Sequence, residues 1–325
     1  MLEHTAEVVR VKLEPHPNAD SLSLVMVDDF QCAVRTDDWR DGDLAVYIEP
    51  DSIVPDTPDF AFLNGNRRIK ARRLRGEWSM GLLIPAPPGA QVGDDCMEQL
   101  GIEHYEPPIR CSMGPNNPLK KDSVENIAGP DGFYPVYDVP NFRKYSYLLE
   151  DGEEICLSEK LHGASARFVC VNDKMYCGSR KQWKAEDKDN LWWKAFYNYP
   201  VLDAWCRHNQ GITIYAEVFG NVQNLKYGSM NGRVFVAAFD LLQGNRWLDF
   251  DEARDIGSAL PWVPFLYRGP YIKEKVLAMA EEDSAYPGAN HHREGVVVSL
   301  PTERSSPKIG RLKLKVVGNR YLAKS

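Results

Sequence analysis

The sequence predicts an α+β protein in which a small N-terminal β-barrel precedes a larger domain built around an antiparallel sheet. Residues 6–85 form short runs of alternating apolar and polar positions divided by turn sequences, which is typical of an all-β unit. After about residue 135, strand-like and helix-like segments follow each other along the chain. The length of 325 residues suits two domains, since one domain usually holds about 100–150 residues.

The N-terminal domain is predicted over residues 1–105 as a β-barrel of the OB-fold type. About five short strands in about 90 residues suit such a barrel, and the OB-fold is the small barrel that most often binds nucleic acid. The alternating apolar positions are Val9, Val11 and Leu13, then Leu22, Leu24 and Met26, then Leu44, Val46 and Ile48.

A linker is predicted over residues 106–134, where Pro, Gly and Asn are concentrated without hydrophobic periodicity. The second domain, over residues 135–325, begins with a predicted helix in NFRKYSYLLE. Further helices are predicted around 191–208, 249–260 and 272–283. The strand-like segments of this domain are ICLSEK, SARFVCV, KMYCGS, ITIYAEVF, VFVAAFDLL, GVVVSL and LKLKVV. We expect them to form a mainly antiparallel sheet.

The composition is that of a globular protein. A hydrophobic fraction of 43% with 26% charged residues excludes a disordered or collagen-like chain. No window holds the about 18 consecutive apolar residues that a membrane span needs, and the N-terminus lacks the pattern of a signal peptide. The seven cysteines are scattered without a CxxC pair, which argues against a disulfide framework or a zinc site. We therefore expect a cytoplasmic protein with reduced thiols and no membrane partner.

The charge is unevenly distributed. A net charge of −7 argues against a protein that simply coats nucleic acid. However, residues 304–325 hold seven basic residues and no acid, and residues 67–75 hold six basic residues in nine. The second run either contacts RNA phosphates or forms a solvated face. Its candidate nucleic-acid-binding residues are Arg67, Arg68, Lys70, Arg72, Arg73 and Arg75.

A lysine at a strand end is the first candidate for chemistry. The chain has neither a P-loop nor a GxGxxG motif, so a bound nucleotide would have to be held by side chains. Lys160 ends an apolar strand in SEKLHGAS, and the two-residue period places it on one face with Ser158 and His162. A lysine in a pocket can lose its proton and act as a nucleophile. Taken alone, K-x-x-G is a weak signal that also fits an ordinary surface lysine before a turn.

The order of polar residues downstream strengthens this interpretation. Each of them lies at or within a predicted strand. Lys313 and Lys315 are two residues apart, so we expect both to project from one face of a strand towards an anion. The downstream candidates are Arg180, Glu217, Phe239, Asp240, Glu294, Lys313 and Lys315.

These motifs resemble those of the covalent nucleotidyltransferase superfamily of ATP-dependent polynucleotide ligases and capping enzymes. The patterns K-x-[DH]-G, E-x-x-G, F-D, E-G-[VI] and L-K-x-K occur in the family's order, and the resemblance covers about residues 137–320. The His of KLHG is similar to RNA ligases of the T4 ligase 2 and RNA-editing type. An OB-like domain before the transferase domain is similar to the Deinococcus and Naegleria type of RNA ligase. Only ten residues follow Lys315, so we expect no C-terminal OB domain.

The resemblance implies an ATP-dependent RNA ligase that joins RNA 3′-hydroxyl and 5′-phosphate ends. Lys160 would attack the α-phosphate of ATP and form lysyl-AMP, with Mg²⁺ or Mn²⁺ as the metal cofactor. The AMP would pass to an RNA 5′-phosphate, and a 3′-hydroxyl would then displace it. Lys313 and Lys315 would neutralise the α-phosphate, which makes them catalytic together with Lys160.

The resemblance also implies roles for the other candidates. Glu217 would bind the ribose, and Phe239 would stack on adenine. Glu294 would hold the metal ion, partly through water. Arg180 would clamp the ribose or the incoming 5′-phosphate. The full set implied to bind the nucleotide is Glu159, Lys160, His162, Arg180, Glu217, Phe239, Glu294, Lys313 and Lys315.

Several roles stay open at this point. His162 either supports metal binding or pyrophosphate release, or is a hydrogen-bonded structural histidine. Asp240 either acts behind the residues that contact the nucleotide or caps a turn after its strand. His291 and His292 are interpreted as exposed polar residues, because no further metal ligands accompany them.

Two other functions are weighed against an RNA ligase. A DNA nick ligase of the same superfamily is disfavoured by KLHG and by the position of the OB-like domain. A non-catalytic RNA-binding protein is disfavoured because the lysines and glutamates that the reaction requires are all present. The expected partner is an RNA end or a nicked duplex containing RNA, with no obligate protein partner.

Overall fold

The computed structural model describes residues 4–106 and 125–324, and these divide into two units. The first unit runs to Glu106 and also contains the residues from Gly318 onward, and the second ends at Val317. The predicted second domain ran to residue 325, whereas the last residues group with the first unit because their contacts are made there. No helix within the described ranges is long and apolar enough to cross a membrane.

The first unit consists mainly of short antiparallel strands. They form a three-stranded sheet in the order β1-β5-β9, a second in the order β2-β3-β4, and the pairs β10-β6 and β7-β8. A helix from the chain terminus, α7 (Asn319–Lys324), also belongs to this unit. The other elements are β1 (Ala6–Arg10), β2 (Glu14–Pro15), β3 (Leu22–Val27), β4 (Phe30–Arg35), β5 (Leu44–Ile48), β6 (Ser52–Ile53), β7 (Arg72–Leu74), β8 (Glu77–Ser79), β9 (Leu82–Pro85), β10 (Glu103–His104) and the helix α1 (Met97–Leu100).

In two strands of this unit, the residues that face the core differ by one position from the alternating apolar positions of the prediction. In β1, Val8 is fully buried while Val9 is only partly buried. In β3, Val25 is fully buried and Met26 is 46% exposed. Because side chains alternate between faces, a shift of one residue exchanges the core face for the solvent face. Leu24 is nevertheless buried, since both faces of β3 are covered at this point.

The second unit contains two antiparallel sheets. One has seven strands in the order β11-β15-β14-β13-β16-β17-β18, and the other has four in the order β19-β12-β20-β23. The strands are β11 (Asn126–Ile127), β12 (Glu154–Lys160), β13 (Gly163–Val171), β14 (Lys174–Ser179), β15 (Trp183–Lys184), β16 (Ile212–Gly220), β17 (Val234–Gln243), β18 (Arg246–Trp247), β19 (Phe265–Pro270), β20 (Gly295–Ser299), β21 (Ser305–Ser306), β22 (Gly310–Arg311) and β23 (Leu314–Val317).

The helices of this unit are shorter than the sequence suggests. The predicted helix at 191–208 is divided into two because Pro200 begins a new helix, the position where proline fits best. The predicted helix at NFRKYSYLLE is one α-helical turn followed by a 3-10 helix over Ser146–Leu148. The α-helices are α2 (Phe142–Tyr145), α3 (Leu191–Tyr197), α4 (Pro200–His208), α5 (Phe250–Ile256) and α6 (Lys273–Ala280).

The later part of the predicted linker is attached to the second unit and is not a free connection. We call residues 126–141 the strap; it contains the end of the predicted linker and the first residues of the predicted second domain. It begins as β11, which pairs with the edge strand β15. Arg167 then donates a hydrogen bond to the Tyr134 carbonyl oxygen (3.0 Å), and the backbone N–H of Lys315 donates to the Pro140 carbonyl oxygen (2.8 Å). Residues 107–124 of the predicted linker lie outside the described residues.

The chain passes from the four-stranded to the seven-stranded sheet directly after Lys160, through Leu161 and His162. Two motif glycines allow the strands to approach here. A Cβ on Gly163 would lie 2.1 Å from the Val218 carbonyl oxygen, and one on Gly295 would lie 1.8 Å from that of Val316. Both glycines are therefore required by close backbone packing, which brings the candidate residues together.

Candidate active site

Lys160 and Glu294 form an ion pair where β12 and β20 meet. Lys160 is opposite Gly295 in the register of these strands, so Glu294 lies one residue away. The Lys160 Nζ donates to Glu294 Oε1 at 2.6 Å, and the lysine side chain is 27% exposed. Burial alone would raise the pKa of Glu294, but Lys160 and His162 outweigh it and hold the pKa at about 2. Glu294 is thus ionised at any ordinary pH.

His162 is fixed on three sides. Its Nδ1 lies 3.2 Å from Glu294 Oε2, and its Nε2 lies 3.0 Å from the side-chain oxygen of Asn224. Its backbone N–H donates to the Tyr227 hydroxyl at 2.8 Å. His162 therefore connects the carboxylate that binds Lys160 to the loop that follows β16. No sequence pattern predicts Asn224 and Tyr227 as site residues; only their position shortly after the E-x-x-G motif could have indicated them.

Glu217 lies on β16 opposite Ser165 and is partly buried. Burial raises the pKa of Glu217 to about 8, and the negative charge of Glu294 adds to this effect. Lys160, the Gly163 amide and Arg180 act in the opposite direction but do not outweigh burial. Glu217 is accordingly a largely protonated acid at neutral pH, which can both donate and accept a hydrogen bond.

Lys315 lies on β23 in the same electrostatic neighbourhood. Burial lowers the pKa of its ammonium group and the nearby charge of Lys160 lowers it further, whereas Asp138 and Glu294 raise it. Across the described ranges, no group is within hydrogen-bond distance of this ammonium. We call Lys160, His162, Glu217, Glu294 and Lys315 the open cluster.

Arg180 lies in the turn between β14 and β15, at the side of the open cluster. Its guanidinium forms an ion pair with Asp138 of the strap, and both side chains are substantially exposed. The charge of Arg180 acts on both Glu217 and Lys315. Asp138 is a further residue that periodicity did not predict: it lies at the start of the predicted second domain, ahead of its first predicted helix.

Lys313 belongs to a different cluster. Its Nζ donates to the two carboxylate oxygens of Asp240 at 2.7 and 2.8 Å. Arg311 donates to the same two oxygens at 2.8 and 2.9 Å and also pairs with Glu303. We call these four residues the closed cluster. Burial would raise the pKa of Asp240, but Arg311 and Lys313 outweigh it and lower the pKa.

The closed cluster corrects two expectations. Lys313 and Lys315 do not face a common anion, because β23 begins only at Leu314 and the anion opposite Lys313 is Asp240. Asp240 does not cap a turn: it lies within β17, opposite Tyr215, and is buried. Every charged group of this cluster has an oppositely charged partner, which is what burial of charge requires.

Phe239 and Glu159 are placed by local strand geometry. The register between β16 and β17 shifts next to Phe239, and such a bulge turns a side chain away from its regular direction. Phe239 is partly buried against the apolar cluster that contains Leu161. Glu159 is 1% exposed, and its carboxylate accepts hydrogen bonds from the Ser284 hydroxyl and the Ala285 amide.

The two histidines before Glu294 are not exposed, contrary to the sequence prediction. His292 is 6% exposed, and His291 is partly buried. The His291 ring packs edge-on against Tyr227 and accepts a hydrogen bond from its backbone N–H at 3.3 Å. Residues 4–106 and 125–324 contain no group of three or more His, Cys, Asp or Glu side chains arranged to hold a metal ion.

In the basic run at residues 67–75, some side chains make contacts within the first unit and others are exposed to solvent. Arg68 forms an ion pair with Asp51 at 2.6 Å and lies over the Tyr105 ring. Lys70 is partly buried. The remaining members of the run are exposed: Arg67, Arg72, Arg73 and Arg75.

Comparison with known proteins agrees with this geometry. The RNA ligase family model matches residues 153–317, which contain every member of the open cluster. The chain belongs to the RNA ligase family. A second model, for an OB-fold domain, matches residues 5–86 of this RNA ligase family member. No curated protein matches the chain.

Solved structures of the Naegleria gruberi RNA ligase are similar over the whole chain. An apo mutant and a mutant with AMP and Mn each align with a TM-score of 0.80 at 23% identity, covering 99% of both chains. The same enzyme with PPi aligns at 0.80 and 24% identity, covering 99% of this chain and 98% of that one. These matches confirm the predicted fold class, an N-terminal OB-fold followed by antiparallel sheets.

Proposed function

We propose that this RNA ligase family member uses ATP to join RNA 3′-hydroxyl and 5′-phosphate ends, with Lys160 as the nucleophile. The observation that carries the proposal is the open cluster. It combines a partly exposed lysine with an ionised carboxylate and a second lysine, Lys315, whose ammonium has no hydrogen-bond partner within the described residues. A partly buried cation without a partner fits a site that receives an anion such as a phosphate.

The chemistry begins with deprotonated Lys160. Its Nζ forms a bond to the α-phosphorus of ATP, the bond from that phosphorus to the bridging oxygen breaks, and pyrophosphate leaves. In the next step an oxygen of the RNA 5′-phosphate replaces the lysine on the same phosphorus. The 3′-hydroxyl then attacks the activated 5′-phosphate, its proton is lost, and AMP leaves. Since each step redistributes charge on phosphorus-bound oxygens, positioned cations account for most of the catalysis.

The other residues of the site fit the nucleotide. Lys315 would neutralise the α-phosphate. Glu217, as a protonated acid, can donate to a ribose oxygen or accept from a hydroxyl. The Phe239 ring lies at the bulge of β17, where it would stack on the adenine base of ATP. When the substrate binds, Arg180 would break its ion pair with Asp138 and contact a phosphate or ribose of the substrate instead.

The residues also fit a divalent metal ion at one position. Glu294 is a hard oxygen ligand that stays ionised, and its present partners are Lys160 and His162, whose place a metal ion could take. Since Glu217 is largely protonated and the described residues contain no group of three or more metal-binding side chains, Glu294 would hold Mg²⁺ or Mn²⁺ largely with water completing the coordination. When bound, the ion supplies positive charge to the phosphates. Glu294 itself holds Lys160 in place until the substrate arrives.

The exposed arginines of the first unit are proposed to bind RNA phosphates. Replacing Arg67, Arg72, Arg73 and Arg75 by Gln should weaken RNA binding, and each phosphate interaction removed should lower the log–log salt dependence by about 0.7–0.9. RNA affinity measured at several salt concentrations tests this, with ATP labelling as the control that should not change. The same affinity and salt slope in parent and variant would leave these residues as a solvated face.

We also propose a reducing, cytoplasmic location. Six cysteines in the described part of the chain are free and buried, which suits a compartment that keeps thiols reduced.

RNA joining tests the proposed function directly. The parent protein should join a 5′-phosphorylated RNA to a 3′-hydroxyl RNA only when ATP and Mg²⁺ or Mn²⁺ are supplied. Lys160→Ala should fail with ATP but still seal RNA whose 5′ end is already adenylylated, because the lysine is needed only for the first step. No joining by the parent, or equal joining by the variant with ATP, would contradict the proposal.

A further inference from the structure

A buried amide lies beside the open cluster with one atom that has no partner. Gln223 follows β16 and is only 7% exposed. Its Nε2 donates a hydrogen bond to the Gly163 carbonyl oxygen at 2.6 Å. Its Oε1 is buried and accepts no hydrogen bond from any described residue. Since buried acceptors are nearly always satisfied, this oxygen marks a place where a donor is missing.

The orientation of this amide is fixed by its surroundings. If the amide were reversed, Oε1 would face the Gly163 carbonyl oxygen at the same short distance, and two acceptors would repel each other. The loop itself is also held: Lys226 Nζ donates to the Gln223 carbonyl oxygen at 2.6 Å, and the adjacent Val222 is fully buried. The free oxygen is therefore a property of the folded loop.

Gly163 joins this amide to the acid of the open cluster. Its backbone amide acts on the Glu217 carboxylate and favours the ionised form, and its carbonyl oxygen accepts a hydrogen bond from Gln223. Because a Cβ at Gly163 would collide with the Val218 carbonyl oxygen, the backbone is packed tightly and cannot easily move. Gln223 is thus anchored to the residue that stands three positions after Lys160, and Glu217 lies close to the same residue through the pairing of β13 with β16.

We propose that Gln223 is a ribose-binding residue whose Oε1 accepts a hydrogen bond from a ribose hydroxyl of the substrate. The proposal rests on the proposed function, which brings ATP and RNA to this site. A phosphate carries no donor at neutral pH, whereas each ribose carries hydroxyl groups that donate. The hydroxyl comes either from ATP or from an RNA nucleotide, and the chemistry of recognition is the same in both cases.

The experiment removes the acceptor and the hydroxyl separately. Covalent labelling rates are measured with ATP, 2′-deoxy-ATP and 3′-deoxy-ATP for the parent, Gln223→Met and Gln223→Glu. The parent should prefer ATP over one of the deoxy analogues by about tenfold, the usual value of such a hydrogen bond. Gln223→Met should lose that preference. Gln223→Glu cannot donate to Gly163 but retains an oxygen, so it should keep part of the preference.

A second arm distinguishes the two sources of the hydroxyl. Sealing of pre-adenylylated RNA is compared for RNA with and without a 2′-hydroxyl at each terminal nucleotide. A preference that Gln223→Met abolishes here, and not with ATP, would assign the hydroxyl to RNA and support the proposal.

The proposal is overturned if both variants slow all substrates by the same factor, because Gln223 would then act only through Gly163. Melting temperatures of the variants accompany the rates, and Gln223→Glu provides the test should Gln223→Met fail to fold. A parent that takes no label from any nucleotide would overturn the proposed function itself, and this proposal with it.

Discussion

Two clusters of charge lie in the second unit, and the segment from Lys313 to Lys315 contributes one lysine to each. In the closed cluster, Lys313 and Arg311 share the carboxylate of Asp240, and Glu303 completes the network. In the open cluster, Lys315 stands near Lys160 and Glu294 with no hydrogen-bond partner for its ammonium among the described residues. Two residues of the same type, two positions apart, thus have opposite surroundings.

This contrast indicates that the partners of a charged residue, and not its spacing, determine what it does. A buried charge with all its partners contributes to one defined packing, since removal of any member leaves the others uncompensated. A partly buried charge that lacks a partner is available to bind a ligand of opposite charge. We therefore propose that the closed cluster stabilises the second unit and that the open cluster carries its chemistry.

Removing Asp240 should have the most severe consequence, because it breaks the closed cluster. Asp240→Ala leaves Arg311 and Lys313 buried with only Glu303 to oppose them, so the free energy of unfolding should fall by about 3–5 kcal/mol. Urea denaturation followed by tryptophan fluorescence measures this, because Trp247 packs on the Arg311 guanidinium. The matched control is Asp138→Asn, which removes the exposed partner of Arg180 and should cost about 0–1 kcal/mol. Equal losses in the two variants would contradict the comparison.

The next effect separates the two lysines. Lys315→Met should slow covalent labelling by about 10²–10³-fold, the usual loss when a cation at a reacting phosphate is removed. Its stability should change by only about 0.5 kcal/mol. Lys313→Met should instead destabilise the fold, because Asp240 loses one of its two cations.

Both variants are measured in the labelling and the denaturation assay. If both lose labelling while both remain as stable as the parent, the two lysines share the phosphate as the family motif implies, and the division into two clusters is wrong.

A third effect concerns pH. Burial raises the pKa of Glu217 from 4.5 to about 8, so between these values the folded protein holds a proton that the unfolded chain has released. Stability from this group is therefore complete at low pH and is lost as the pH rises towards about 8. Gln cannot ionise, so the melting temperature of Glu217→Gln relative to the parent should rise between about pH 5 and about pH 9. A constant difference over this range would show that Glu217 titrates normally.

Much of the site could be predicted from sequence because it lies on regular strands. Three strands that were predicted from their alternation and apolar content carry residues of the open cluster. They are β12 with Lys160, β16 with Glu217 and β23 with Lys315. The antiparallel pairing of β12 with β20 and of β20 with β23 brings Lys160 and Lys315 together, and the pairing of β13, which follows Lys160, with β16 places Glu217 nearby. The order of the motifs along the chain therefore carries real information about the site.

The remaining features depend on contacts that no local pattern encodes. Asp240 and Lys313 are 73 residues apart in the chain, and nothing near either of them reveals the ion pair. His292 follows a turn-like sequence and is nevertheless buried. The strap has a loop-like composition, yet hydrogen bonds from Arg167 and from the Lys315 backbone attach it to the second unit. Tertiary contacts override local preference in each of these places.

The assignment of Lys160 as the residue that carries the nucleotide can be tested by intact mass measurement. The protein is incubated with ATP and Mg²⁺ or Mn²⁺, and the modified peptide is then located by fragmentation. We predict the addition of one adenylyl group on Lys160, and none on Lys160→Ala or on Lys160→Arg, whose guanidinium does not lose its proton. An adduct on another residue, or an unchanged adduct in either variant, would contradict this assignment.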